Sequence, residues 1–404
     1  MVLSVVVAAC GIAPGSPAPS SSGDGFAPSA SAPVATPLVP VPAPGHELYG
    51  FVPYWEMDDG MPDHLAATPL TTIGLFSVSN TNSGRLAKRG KGHVAITSDL
   101  GRRIIREAHL RGARVEVVFT AFGAAKTRKL IESVAMQEAA IADLVALVAD
   151  LGADGVNVDV EGLDGDLVPA YAAFVGALRT SLRAADPVAT VSVATPARLS
   201  GAAMASAALE AGADRVFMMG YDFRVAGSEP GGTAPLDRHE GSTGGSLRSV
   251  LDLYALAGVP AERLLLGLPL YGMSWPAAGG VVGAPSLGKG DHWLPRSHMD
   301  LLADATVMPV RDEVEVVDVY LLASDGGVGP RSFGPLSSPG LEAPVTWEAV
   351  YVDTPATLRV KLHEANLRGL AGAGFWAIGY ERGLPGYTDA MTAFRTGELD
   401  ASGD

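Results

Sequence analysis

Two hydrophobic periods alternate along most of the chain. Short apolar runs rich in valine, leucine and aromatic residues predict strands, and longer segments with apolar residues three or four positions apart predict helices. Serine, threonine or aspartate often precedes the helical segments and glycine follows them, as expected of helix caps. The strand-like runs cover residues 47–55, 72–79, 114–119, 155–161, 189–195, 215–221, 263–272 and 373–379.

The alternation of these eight runs with helices predicts an α/β fold with a parallel sheet. Eight is the number of strands that closes a (β/α)8 TIM barrel, and we expect this fold over residues 46–397. An open doubly wound sheet is the alternative, but no G-x-G-x-x-G follows the first strand. Residues 276–346 lack a core helix pattern and contain many Gly, Pro and short valine runs. We expect a small β-rich insertion there, between strand seven and its helix.

The N-terminal segment differs in composition from the rest. Residues 1–10 form an apolar run, too short to span a bilayer, that ends at the only cysteine, Cys10. The run is typical of a lipoprotein signal remnant, although no basic residue precedes it. Residues 11–45 are rich in Pro, Ser and Ala and predict an extended linker, and 398–404 predict a tail. We expect a lipid on Cys10 and anchoring to the outer face of the bacterial cytoplasmic membrane; a secretory signal without lipid and a chance cysteine are the alternatives.

Charge and composition narrow the range of partners. The 404 residues carry a formal net charge of −15, and an acidic chain without basic clusters is poorly suited to bind nucleic acid or an anionic membrane. A single cysteine permits no disulfide within the chain, and the eight histidines show no H-E-x-x-H or H-x-H spacing. We therefore expect no metal or cofactor, a neutral polymer or small molecule as partner, membrane contact only through the lipid, and a monomer.

The most unusual stretch alternates valine with polar residues. It reads GADGVNVDVEGLDGD over residues 152–166. Successive strand residues point to opposite faces. The valines would therefore pack under the helices, and Asn157, Asp159 and Glu161 would point into the barrel. Glu161 stands at the C-terminal end of the strand, where the active sites of such barrels lie. Close carboxylates hold a proton near neutral pH, which suits a general acid. A structural polar cluster is the alternative; a calcium loop is disfavoured because Val168 stands where its bidentate glutamate belongs.

At this motif the chain resembles glycoside hydrolase family 18, the chitinase family. The family signature D-G-x-D-x-D-x-E stands here as residues 154–161, with Asn157 in place of the first inner aspartate. This form is similar to the spore-cortex and cell-wall N-acetylglucosaminidase branch. MMGYDF resembles the strand-six motif, with Met219, Tyr221 and Asp222, while GLPLYGMSW and GAGFWAIGYE resemble strands seven and eight. The strand-three S-x-G-G element is missing.

The resemblance implies an activity and a set of residue roles. The activity is retaining, substrate-assisted hydrolysis of β-1,4-linked N-acetylglucosamine-containing glycans, either peptidoglycan or chitin oligomers. Glu161 would be the general acid and base, and Asp159 would orient the substrate acetamido group and stabilise its oxazolinium ion. Tyr221 would hydrogen-bond the acetamido oxygen, and Asp222 and Met219 would contact substrate. A non-catalytic, chitinase-like lectin on the same barrel is the alternative function.

Four further residues complete the predicted site. Trp376 would form the floor under a sugar ring, and Tyr54 and Tyr271 are candidates for the cleft walls, with packing as the alternative role. Asn157 is grouped with the catalytic residues. Because an amide donates a hydrogen bond and adds no charge, we expect Asp159 to stay ionised through more of the catalytic cycle.

Overall fold

A closed barrel of eight parallel strands forms the centre of the computed structural model, which describes residues 45–324 and 346–401. With strands numbered in chain order, the barrel consists of β1 (Glu47–Pro53), β2 (Thr72–Ser79), β3 (Arg114–Ala121), β4 (Gly155–Val160), β5 (Thr190–Pro196), β6 (Arg215–Met219), β7 (Leu264–Pro269) and β13 (Gly372–Trp376). Neighbours follow the chain order, and β13 closes the circle between β7 and β1. The predicted (β/α)8 TIM barrel is confirmed, and each predicted strand matches an observed one to within a few residues.

Twelve α-helices lie in the described ranges, and most of them connect barrel strands. They are α1 (Met61–Ala67), α2 (Lys91–Ile96), α3 (Asp99–Leu110), α4 (Ala124–Glu132), α5 (Val134–Leu151), α6 (Val168–Ala185), α7 (Leu199–Glu210), α8 (Leu247–Leu256), α9 (Met299–Ala303), α10 (Pro355–Leu367), α11 (Pro385–Thr396) and α12 (Glu398–Ala401). Serine side chains accept a backbone N–H at the starts of α3, α5 and α8, at Ser98, Ser133 and Ser246. Gly152 ends α5 with φ of 65°, a left-handed conformation that glycine adopts without strain. Among the described residues no helix is long and apolar enough to cross a membrane.

The barrel strands separate two apolar layers. The valines of β4 are fully buried and belong to the same cluster as Phe174 and Leu178 of α6, outside the barrel. A second, smaller cluster fills the interior and includes Phe51, Val118 and Phe217. Side chains therefore alternate between the helical layer and the interior, as the sequence pattern predicts.

An antiparallel sheet of five strands follows β7. It comprises β8 (Gly272–Ala277), β9 (Asp291–Trp293), β10 (Val310–Asp312), β11 (Val317–Ala323) and β12 (Trp347–Val352), and its spatial order is β10-β11-β12-β8-β9. The insertion predicted for residues 276–346 is therefore β-rich and correctly placed before α10, but its bounds were too narrow. The entering strand β8 and the leaving strand β12 pair with each other, from Met273 with Tyr351 to Ala277 with Trp347, so both belong to it.

Some predictions fall on residues outside the described ranges. These are Cys10 with the signal remnant at 1–10, the linker except its last residue, Gly45, and residues 325–345 of the insertion. Within the predicted tail, α12 covers the first four residues.

Candidate active site

A cleft of about 690 Å³ opens at the C-terminal ends of the barrel strands. Most of the predicted site residues line it, although they come from four different strand ends: Tyr54, Asp159, Glu161, Met219, Tyr221, Asp222 and Trp376. The other two, Asn157 and Tyr271, are buried behind the cleft wall. Over residues 45–324 and 346–401, no three His, Cys, Asp or Glu side chains are grouped as metal ligands.

Two carboxyl groups meet at the end of β4. Asp159 is only 5% exposed, whereas Glu161, just beyond the last strand residue, is exposed in the cleft. Burial raises the pKa of Asp159 well above its usual range, and the charge of Glu161 adds to the effect. Partial desolvation, followed by the charge of Asp222, raises the pKa of Glu161, and Arg198 opposes this shift. The pair therefore favours holding one proton at a pH where isolated carboxyls are ionised.

Backbone contacts fix the position of Glu161. Its N–H donates to the carbonyl of Ala121 at 3.0 Å, and its own carbonyl accepts from Thr127 Oγ1 at 2.8 Å. The loop that follows β4 is thereby tied to β3 and to the first turn of α4. These contacts hold the Glu161 backbone beside the cleft, into which its side chain is exposed.

The loop after β6 presents Tyr221 and Asp222. Asp222 has a positive φ of 60°, and its N–H donates to Thr233 Oγ1 at 3.1 Å. Aspartate is one of the few residues other than glycine that tolerate this conformation. The Tyr271 hydroxyl donates to Asp222 Oδ1, so Tyr271 supports Asp222 from behind. This corrects the expectation that Tyr271 forms a wall of the cleft.

Aromatic rings cover the side of the cleft formed by β1, β2, β3 and β13. Phe76 lies edge-on to Trp376 with ring centroids 4.6 Å apart, and it stacks on Phe122 at 6.3 Å. Trp55, which is 49% exposed, packs edge-on against Tyr54 at 4.9 Å. Together these rings form an apolar platform broad enough to contact sugar rings. Phe122 was missed in the sequence, although it stands in the strand-three segment where the family motif is absent.

Asn157 does not line the cleft. It is fully buried on the interior face of β4, and its Nδ2 donates to Ser192 Oγ of β5 at 2.7 Å. The amide thus donates to a neighbouring strand rather than to Asp159, whose pKa is raised. The amide adds no charge beside Asp159, while burial and Glu161 raise the pKa of Asp159. The expectation that Asp159 stays ionised through more of the catalytic cycle therefore stays a prediction.

Two cationic side chains in the cleft were not predicted from the sequence. Lys126 lies in the first turn of α4 and Arg198 immediately before α7, and both line the cleft. In the described parts of the chain neither has an acidic partner within ion-pair distance, and Arg198 Nε donates only to Ser200 Oγ, at 3.0 Å. Their signal in the sequence is weak, since cations near helix starts are common. Their loops follow β3 and β5, so they flank the β4 carboxylates.

The family assignment follows from this part of the chain. The model of "Glycosyl hydrolases family 18" matches residues 117–381. The matched region runs from β3 to just beyond β13 and contains Asp159, Glu161, Tyr221 and Trp376. The chain therefore belongs to glycosyl hydrolase family 18, and the resemblance seen at the β4 motif is confirmed.

Curated relatives match parts of the chain. The putative sporulation-specific glycosylase YdhD of Bacillus subtilis is 24% identical over 210 residues, which cover 51% of this chain and 46% of that protein. Nod factor hydrolase protein 1 of Medicago truncatula is 31% identical over 172 residues, 42% of this chain and 39% of that protein. The chain thus matches less than half the length of these relatives.

Solved structures share the barrel. The spore cortex-lytic enzyme SleL of Bacillus cereus superimposes with a TM-score of 0.66 at 16% identity, covering 86% of this chain and 74% of that one. A family 18 N-acetylglucosaminidase of Paenibacillus barengoltzii gives 0.69 at 17% identity, covering 86% and 99%. At these identities the superpositions show that the solved structures and this chain share one fold.

The charges around Glu161 predict opposite pKa changes in two variants. Asp222→Asn removes a repulsion that raises the pKa of Glu161, so that pKa should fall; Arg198→Gln removes an attraction that lowers it, so the pKa should rise. Titration of 13C-labelled glutamate carboxyls by NMR measures both. Lys129→Gln, an exposed cation of α4 outside the cleft, is the control and should leave the value unchanged. Shifts of the same sign in the first two variants would contradict this electrostatic account.

Proposed function

We propose that the protein hydrolyses β-1,4-linked N-acetylglucosamine-containing glycans with retention at the anomeric carbon, with Glu161 as the general acid and base. The observation that carries the proposal is the convergence of four groups on one cleft: Asp159, Glu161, Tyr221 and Trp376. They come from strands distant in sequence, at the end of the barrel where such enzymes react. Membership of family 18 supports a glycoside hydrolase.

The paired carboxyls suit substrate-assisted chemistry. In the reactive form their single proton resides on Glu161, and Asp159 is negative. Glu161 gives this proton to the glycosidic oxygen while the acetamido oxygen of the substrate attacks the anomeric carbon and the glycosidic bond breaks. The positive oxazolinium ion forms beside the desolvated Asp159, where an opposite charge stabilises it most. Glu161, now ionised, then accepts a proton from the water that opens the oxazolinium ring.

Neighbouring groups hold the sugar. Burial raises the pKa of Tyr221 well above its usual range, so its hydroxyl keeps its proton and can donate to the acetamido oxygen. Asp222, held by Tyr271 and Thr233, presents its second carboxylate oxygen to the cleft, where it can accept a hydrogen bond from the substrate. Trp376 offers a ring face under the pyranose, with Met219 beside it in the cleft wall.

Lys126 and Arg198 favour a substrate that carries carboxylates. Chitin is neutral and gives them no partner, whereas on peptidoglycan strands without stem peptides the lactyl group of N-acetylmuramic acid places a free carboxylate on alternate sugars. Both cations lie beside the reacting carboxyls without an acidic partner among the described residues. Peptidoglycan is therefore our first candidate. Chitin-type oligomers are the second, since two Metarhizium endochitinases are 28% identical to parts of this chain.

Glu161→Gln should lower hydrolysis by a factor of about 10² to 10⁴ while binding persists, because an amide cannot donate the acid's proton. Wild type and variant would be incubated with chitin oligomers and with purified peptidoglycan, and the products weighed by mass spectrometry. Glu132→Gln, on the exposed part of α4, serves as the control and should retain activity. Binding of both polymers without any product from wild type would instead support the lectin alternative.

Lys126→Met should lower kcat/KM on peptide-stripped peptidoglycan strands by roughly threefold at low salt, as expected for one half-exposed ion pair, and leave chitin hexamer turnover unchanged. Lys126 is chosen over Arg198 because it does not act on the pKa of Glu161. The difference should vanish at high ionic strength, and Lys129→Met is the matched control. An equal loss on both substrates would argue against recognition of a carboxylate.

We further propose that the protein acts outside the cytoplasm, anchored through a lipid on Cys10, or is otherwise secreted. The Pro/Ser/Ala-rich composition of residues 11–45 is typical of the linkers that follow such anchors. Labelling of expressing cells with palmitate should modify the wild-type protein, and Cys10→Ala should abolish both the label and retention in the membrane fraction. An unlabelled wild type recovered only from the medium would support secretion without a lipid.

A further inference from the structure

A column of hydrogen bonds runs through the barrel interior beneath the cleft. Glu116 of β3 is 4% exposed. Its Oε2 accepts from Tyr49 Oη at 3.0 Å and from Ser192 Oγ at 2.5 Å, and its Oε1 accepts from Thr190 Oγ1 at 2.7 Å. Ser192 Oγ in turn accepts from Asn157 Nδ2. The column thus joins a buried acid that the proposed mechanism does not use to the strand that carries the reacting carboxyls.

The chemistry of these groups fixes the direction of each bond. The three hydroxyls around Glu116 donate to its carboxyl oxygens, which accept all three hydrogen bonds. Ser192 has a single hydroxyl proton, which goes to Glu116, and its oxygen is left to accept. Asn157 must therefore turn its nitrogen towards Ser192 and its oxygen away. An aspartate at position 157 would have no proton to give when ionised, which is a physical reason for the amide.

Two acceptor atoms next to the column lack a donor. Asn157 Oδ1 and Asp159 Oδ1 are both buried, and neither has a hydrogen-bond partner in the described part of the chain. They belong to residues two positions apart on the same face of β4, which are neighbours inside the barrel. Unpaired buried acceptors are costly. A proton on Asp159 provides the one donor that this pair of acceptors needs.

We propose that Glu116 is a positioning residue: through Ser192 it holds the Asn157 amide with its oxygen free to accept a hydrogen bond from protonated Asp159. The column thereby stabilises the protonated form of Asp159 until substrate binds. The acetamido N–H of the substrate then takes over as donor, and the proton of the carboxyl pair passes from Asp159 to Glu161. The inference rests on the proposed function in one respect, the participation of Asp159 in hydrolysis.

Other charges and titratable groups act on the same column. Burial raises the pKa of Glu116, the three hydroxyl donors and Arg114 of its own strand oppose the shift, and Arg215 of β6 also faces it. Around Asp159 the groups are Glu161 on the same strand, Tyr49 of β1, Tyr171 of α6 and Tyr221 beyond β6. The tyrosines all have raised pKa values and stay neutral. None of these groups replaces the donor that a protonated Asp159 supplies.

The test combines two links of the column. Glu116→Gln cannot accept from all three hydroxyls, and Ser192→Ala removes the next link. Each should change the pH dependence of kcat on a chitin oligomer more than its maximal value, because Asp159 is ionised in the reactive form of every variant. Each should also move the acidic limb of the pH–rate profile to lower pH, because the protonated form of Asp159 is no longer favoured. The double variant should match Ser192→Ala alone, since both changes break one path.

Thr190→Val is the matched control, because it removes one hydroxyl from Glu116 and leaves the bond to Ser192. It should leave the acidic limb in place. Glu116→Gln with a lowered melting temperature but an unchanged acidic limb would overturn the inference and make Glu116 purely structural.

A different result would bear on the proposed function alone. If wild type cleaves no N-acetylated glycan, that proposal fails, and the positioning role is then decided by NMR titration of the Asp159 carboxyl. A lower pKa of Asp159 in Glu116→Gln than in wild type supports the role, and an equal pKa refutes it.

Discussion

The alternation of side chains along β4 is the constraint on which the site depends. The closed barrel has no sheet edge, and its strands face apolar helices on one side and a dry interior on the other. With the valines committed to the helical layer, Asn157 and Asp159 have no position except the interior. A slip of one residue would exchange the two sets and bury the carboxyl under the helices. The raised pKa of Asp159 follows from this placement, because the same packing that orders the strand removes water from its acid.

The inserted sheet fixes the loop that presents Tyr221 and Asp222. Glu315, in the turn between β10 and β11, accepts the N–H of Gly232 at 2.6 Å and lies 3.7 Å from Arg224. His239 binds Asp312 at 2.8 Å on the same side. These contacts join the β6–α8 loop to the insertion. The geometry at Asp222 is therefore held by a barrel strand at one end and by the added sheet at the other.

The number of strands, the barrel and the β4 motif were predictable because each depends on local periodicity. The bounds of the insertion were not, since apolar residues continue from β7 into β8 without a break. The positions of Lys126 and Arg198 in the cleft could not be predicted from the sequence, because only the fold brings their loops to either side of β4. Glu116 had a signal in the sequence: in RVEVVF it is a single charged residue at an interior position of an otherwise apolar strand. Its partners Tyr49 and Ser192 lie 67 and 76 residues away, so the column itself could not be predicted.

The distribution of tryptophan has a practical consequence. Of the five tryptophans, three are buried in the inserted sheet, at Trp275, Trp293 and Trp347, and the other two, Trp55 and Trp376, border the cleft. A soluble quencher reaches Trp55 far more readily than the three dry indoles. Fluorescence therefore reports two events separately. A carbohydrate that covers the cleft protects the emission of Trp55 from the quencher. Loosening of the insertion shifts the emission of its three tryptophans towards longer wavelengths.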